Sequence, residues 1–242
     1  MVFKAAGKQY SYPTDWKDIE LGKYCTFLTD IEPTRPETLD AILMEADDDK
    51  RRQKAAELSD VDYTHEILPY YAKYVAFWTG MSYKMIMGIG KYRKATGSMD
   101  PKTLEALWWK IESGVFLKTE VDENLDKFVH KGRTYYLPEK HMEKSTVIEF
   151  MEAAQLEAKL NDLSKGNWNA MPYVLAVIAR PKNEIYNSRN TERRAAMFQT
   201  LTMDIVRSVA FFLQKLNAKS APDSLIFTIS HHLSKLRQVS TT

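Results

Sequence analysis

The strongest constraint on this chain is a pattern that occurs twice. Near its start the sequence reads Phe3-Lys4-Ala5-Ala6-Gly7-Lys8-Gln9-Tyr10-Ser11-Tyr12-Pro13. Much later it reads Phe128-Val129-His130-Lys131-Gly132-Arg133-Thr134-Tyr135-Tyr136-Leu137-Pro138. The two align without a gap: Phe on Phe, Gly on Gly, Tyr on Tyr, Pro on Pro, with Lys8 opposite Arg133. In each, a glycine followed by a base separates two short runs. Glycine reaches the positive φ that a tight hairpin turn needs. Tyr10 and Tyr12, like Tyr135 and Leu137, share one face at strand period. Proline, which has no N–H to donate, then ends the ladder. Both segments are predicted to be β-hairpins.

The segments downstream of the two hairpins also correspond. Asp18 to Tyr24 opens one helical pattern and Ser145 to Phe150 the other, each with an N-cap residue at its head; with one insertion Leu21 meets Val147 and Tyr24 meets Phe150. Ile67-Leu68-Pro69-Tyr70-Tyr71 matches Ala170-Met171-Pro172-Tyr173-Val174, with proline where a first helical turn tolerates it. The expected fold is mainly α with two short β-hairpins (α+β), a tandem duplication of one hairpin-plus-helices unit. The first repeat is expected to cover about 1–122 and the second about 123–242. The first carries an inserted charged helix at about 32–60, opened by Pro36 and Glu37. Its run Asp47-Asp48-Asp49-Lys50-Arg51-Arg52 reads as a solvated helix face rather than a metal site, because neighbouring helical residues diverge.

Further helices are expected where periodicity and caps agree. Asp100-Pro101 opens one whose buried face is Leu104, Leu107, Trp108 and Ile111. Others are expected near 144–163, 169–179, 191–201, 203–216 and 223–236. Gly88 reads as a helix stop rather than part of a nucleotide loop. Trp108 and Trp109 are adjacent and cannot share one core. Exposed-looking aromatic residues, Tyr70, Tyr71, Tyr74, Trp78, Trp108 and Trp109, are the candidate protein interface.

The search for chemistry yields no catalytic residue, no metal site and no cofactor motif. The single cysteine, Cys25, excludes an internal disulfide and a paired-cysteine zinc site, and its helical context reads as a small buried hydrophobe. The five histidines form no ligating pair, and His231 and His232 diverge on a helix. With 34 basic and 32 acidic residues, the charge balance argues against a dedicated nucleic-acid binder. The best polyanion contact is Arg189, Arg193 and Arg194, near Arg180 and Lys182. No run is long and apolar enough for a membrane span.

Phe3, Gly7, Lys8, Tyr10, Pro13, Trp16 and Ile19 together make an opening that resembles that of small tailed-bacteriophage morphogenesis proteins, of which tail assembly chaperones are the best-known group. Phe77-Trp78-Thr79-Gly80-Met81 is similar to a Thr-Gly helix break in the same kind of sequence. The second copy departs from the pattern, with His141 opposite Trp16 and Ala179-Arg180-Pro181 opposite the break. The resemblance implies a phage protein, not an enzyme, that needs no cofactor. It would act in the host cytoplasm through contacts with other virion or tail components, with incorporation into the particle or homo-oligomer formation as open variants. Two roles fit: a tail assembly chaperone, or a structural subunit of tail, baseplate or connector. The alternative is a nucleic-acid-associated packaging or regulatory protein using the basic helix face.

Overall fold

The structure, a computed structural model, describes residues 1–43, 45, 47, 49–50, 53–54, 57–89, 99–118, 120–137, 159, 162, 165, 167–182, 184 and 187–217. It is mainly α, with two antiparallel two-stranded sheets. Pro138, His141, the helices expected near 144–163 and 223–236, Asp48 and Gly90 lie outside the described residues.

Both expected hairpins are present and share one geometry. β1 (Val2–Ala5) pairs with β2 (Lys8–Ser11), Phe3 opposite Tyr10. β3 (Lys127–His130) pairs with β4 (Arg133–Tyr136), Phe128 opposite Tyr135. The two-residue turns are Ala6-Gly7, with φ of 49° and 72°, and Lys131-Gly132, with φ of 47° and 75°. Positive φ at both central residues matches the right-handed twist of the flanking strands. The cross-strand rings lie 5.8 Å apart in the first hairpin and 5.5 Å in the second. An extra bond closes each open end: Tyr12 N–H donates to Met1 O at 3.0 Å, and Leu137 N–H to Asp126 O at 2.9 Å.

The helical elements follow from their caps. After β2 a 3-10 turn, Trp16–Asp18, leads to α1 (Leu21–Asp30). Asp18 lies in the 3-10 turn and α1 starts only at Leu21, after Glu20, which pairs with Thr202 in an antiparallel bridge. A second 3-10 turn, Glu32–Thr34, precedes α2 (Glu37–Leu43), the start of the expected insertion. Ser59 caps a helical turn, Asp60–Asp62, that runs through a π turn, Tyr63–Ile67, into α3 (Leu68–Thr79). Gly80 ends α3 in the left-handed region, φ 73°, and donates its N–H to Ala76 O. α4 is Tyr83–Ile86. Asp100 caps α5 (Pro101–Ile111) through the Thr103 N–H, and a π turn, Glu112–Phe116, continues it. Later come a 3-10 turn at Trp168–Ala170, α6 (Met171–Ile178), α7 (Ser188–Phe198) and α8 (Met203–Asn217). α7 begins earlier than periodicity suggests, because the Asn187 side chain accepts from the Arg189 and Asn190 N–H groups. Among the described residues, no helix is long and apolar enough to cross a membrane.

The chain divides into two compact units. The first holds Met1–Asp15 and Asp30–Thr119; the second holds Trp16–Thr29 and Glu120–Val239. Trp16–Thr29 goes with the second unit. Backbone bonds explain this: Leu21 N–H reaches Leu201 O and Gly22 N–H reaches Gln199 O, both at 2.8 Å, and Met203 N–H reaches Ile19 O at 2.9 Å. The Arg207 guanidinium also lies 4.4 Å from the Trp16 ring centroid, within cation–π range.

Candidate functional site

The aromatic residues expected to form an interface are the core of the first unit instead. Tyr70, Tyr71, Tyr74, Trp78 and Trp108 are all buried. Tyr71 stacks on Trp108 at 4.3 Å, and Tyr74 meets Trp78, Trp108 and Phe116 edge-on at 6.2–6.4 Å. The reason is helical geometry. Tyr70, Tyr74 and Trp78 recur every four residues on α3, and Leu104, Leu107, Trp108 and Ile111 make the facing stripe on α5. Burying side chains of this size stabilises by roughly 1.5–3 kcal/mol each, so a stripe of them is a folding device. Trp109 alone of the six stays exposed, at 40% against 4% for Trp108.

At the edge of this aromatic core lies a cluster of ionisable groups that the sequence pattern does not reveal. The 3-10 turn contributes Glu32 and is followed by Arg35; α2 contributes Asp40; α3 contributes Tyr70 and Tyr74; the π turn after α5 contributes Glu112. Arg35 Nη2 lies 2.8 Å from Glu32 Oε1 and 3.9 Å from Glu112 Oε1; Nη1 is 3.4 Å from Asp40 Oδ1. Arg35 Nε donates to the Tyr70 hydroxyl at 3.2 Å, and the Tyr74 hydroxyl donates to Glu112 Oε2 at 2.6 Å. The Arg35 and Glu112 side chains are 8% and 7% exposed, and Glu32 18%.

Burial dominates the electrostatics. It pushes Glu32 up to about 7 against the pull of Arg35, and it raises Glu112 against the pull of Arg35 and the Tyr74 hydroxyl. Burial also holds Tyr70 and Tyr74 well above the usual phenol range. For Arg35 burial works against the charged form, but Tyr70, Glu32 and Glu112 outweigh it and keep the guanidinium protonated. Glu112 has a signal in the sequence. It lies four residues after Trp108 on the apolar stripe, where a carboxylate has to find a partner.

The basic cluster is divided between surface and interior. Arg194 is buried on the same face of α7 as Thr191 and Phe198. Its guanidinium bonds Glu184 Oε1 at 2.5 Å, Ala176 O at 2.8 Å and Thr191 Oγ1 at 3.4 Å. Arg194 therefore anchors the second unit, while Lys182, Arg189 and Arg193 are exposed. Among the described residues, no group of His, Cys, Asp and Glu is placed to hold a metal ion.

The signature residues of the two hairpins do come together in pairs. Phe128 and Tyr135 close on Phe198, at 5.8 and 5.0 Å, and His130 Nε2 lies 3.2 Å from Met197 O. Gly7, Lys8, Gly132 and Arg133 sit exposed at the two ribbon tips. The outer face of the second ribbon carries Val129 and Tyr136, both exposed; the first ribbon carries Lys4 and Ser11 at the corresponding positions of its register, with an exposed Val2 opposite Ser11. No family model, no curated protein and no solved structure matches this chain.

Proposed function

We propose that this is a bacteriophage protein without catalytic activity that works through protein–protein contacts in virion or tail assembly, as a tail assembly chaperone or a structural subunit. The observation that carries this reading is the doubled ribbon: two hairpins with the same register, the same turn and the same closing bond, each only two strands wide. A two-stranded sheet has edges to which an extended segment of another polypeptide can add, and in the second ribbon Arg180 already pairs in this way with Tyr136 at the end of β4. Tandem duplication of a hairpin-plus-helices unit accounts for the matching geometry.

Arg35, Glu112 and Arg194 are closed in by their own partners and so serve the packing of the described residues. The opening motif from Phe3 to Ile19, which resembles tailed-phage morphogenesis proteins, supplies the biological setting. Mass spectrometry of purified particles and of assembly intermediates tests the proposal. Presence in finished particles indicates a structural subunit, and presence only in intermediates indicates a chaperone. Absence from both, with the protein expressed during infection, overturns the reading.

A further inference from the structure

The cluster around Arg35 has a charge problem that its geometry solves in one way. Two carboxylates, Glu32 and Glu112, flank a single guanidinium inside the first unit. Asp40, the other acid in reach, is 41% exposed and keeps its own solvent. Among the described residues, the other groups that face the pair are the phenols of Tyr70, Tyr71 and Tyr74 on α3, none of which carries a positive charge. Ionised together, Glu32 and Glu112 leave one uncompensated negative charge where water has little access. Such a charge is expensive to bury, and the usual resolution is uptake of a proton.

We infer that Glu32 and Glu112 share one proton around Arg35, and that this proton latches the Glu32–Thr34 turn onto α3 and the end of α5. With the proton bound, one carboxylate balances Arg35 and the other is neutral, so the turn seats against Tyr70 and Tyr74. With the proton lost, two like charges compete for one guanidinium and the turn is pushed outward. Because the two acids interact through Arg35, the proton belongs to the pair rather than to one residue. This inference is independent of what the protein binds.

Linkage sets the direction of the pH effect. An acid whose folded-state affinity for the proton exceeds its unfolded-state affinity makes the folded state the better proton binder between the two titrations. Glu32 moves from 4.5 to about 7. The stabilisation is complete below the lower value, falls as pH rises through that window and is gone above it, whereas in the folded protein the proton itself leaves around the upper value.

Chemical denaturation of the full chain at pH 5 and pH 8 tests this. The folded-to-unfolded ratio of the unaltered protein should fall on the order of a hundredfold between the two. Glu32→Gln and Glu112→Gln each remove one charge permanently and should flatten that dependence. Parallel curves for the unaltered protein and both variants would overturn the proposal. If the variants do not fold, carbon NMR of the unaltered protein labelled at glutamate carboxyls decides. A resonance titrating well above the ordinary carboxylate range supports the shared proton, and none doing so overturns it. The latch itself is read by hydrogen exchange at the Thr34 and Arg35 amides, which donate to Ile31 O and Glu32 O. At pH 8 these should exchange at least tenfold faster in the unaltered protein than in Glu32→Gln, and equally at pH 5. Equal rates at both pH values would refute the release of the turn.

Discussion

The Tyr74 hydroxyl donates to Glu112 Oε2 across 2.6 Å, joining the middle of α3 to the π turn that extends α5. Both side chains are buried, so neither can turn to water for a substitute. Tyr74→Phe keeps the ring that meets Trp78, Trp108 and Phe116 but removes the donor. It should destabilise the first unit by about 1–3 kcal/mol, the usual penalty for an acceptor left buried without its donor. Urea denaturation measures it. A double-mutant cycle with Glu112→Gln should return a coupling energy well above the background for non-contacting pairs.

Arg35 is the hub of that cluster, and its loss should be more damaging. Arg35→Met keeps the aliphatic bulk and leaves Glu32 and Glu112 together without a cation. The expected loss is about 3–5 kcal/mol, the range seen when one partner of a buried ion pair is removed. Arg35→Lys should recover little, because one ammonium cannot reach Glu32, Asp40 and the Tyr70 hydroxyl at once. Recovery of full stability with lysine would show that charge alone matters there.

The hairpins are legible in the sequence because everything that specifies them is local: a glycine at the turn, alternation on either side, a terminating proline. The aromatic core is not, for the opposite reason. Tyr70, Tyr71 and Tyr74 look exposed when counted as polar-tipped residues, and only the facing stripe on α5 shows them to be interior. Arg35 and Glu112 carry no joint signal in the chain, since their meeting depends on how α3 and α5 pack. The placement of Trp16–Thr29 in the second unit rests on backbone bonds to residues near Leu201, which no side-chain pattern announces.

Each ribbon turn contains one residue badly suited to its backbone. Ala6 and Lys131 sit at φ of 49° and 47°, a region costly for residues with an ordinary side chain. Asparagine tolerates it and favours this turn when glycine comes next. Ala6→Asn and Lys131→Asn should each stabilise the protein by about 0.5–1 kcal/mol. Gly7→Ala and Gly132→Ala should each destabilise it by about 1–2 kcal/mol, purely through backbone strain, since an added Cβ at either site meets no atom within 4 Å. Thermal denaturation of the four variants tests whether both turns have this geometry.

Cys25 is buried in α1, and burial pushes its thiol up to about 12. The thiolate is the reactive species, so the folded protein should resist a thiol-specific disulfide reagent at pH 8. Labelling should appear on addition of denaturant and track the unfolding curve. Fast labelling of the native protein would mean that α1 opens on its own, ahead of global unfolding.

Trp108 and Trp109 are neighbours with opposite fates, and this separates stability from recognition. Trp108 stacks on Tyr71, so Trp108→Ala should cost about 3–5 kcal/mol through the cavity it leaves. Trp109 is two-fifths exposed, so Trp109→Ala should change stability by less than about 0.5 kcal/mol. On the assembly role proposed above, and if partner proteins contact the exposed face of α5, the second variant should be lost from assembly intermediates while folding normally, because tryptophan is a frequent anchor of protein interfaces. Folding is read by denaturation and partner capture by co-purification from infected cells. A Trp109→Ala protein that folds and still co-purifies at full yield would remove this face from the contact surface and leave the ribbon edges to carry it.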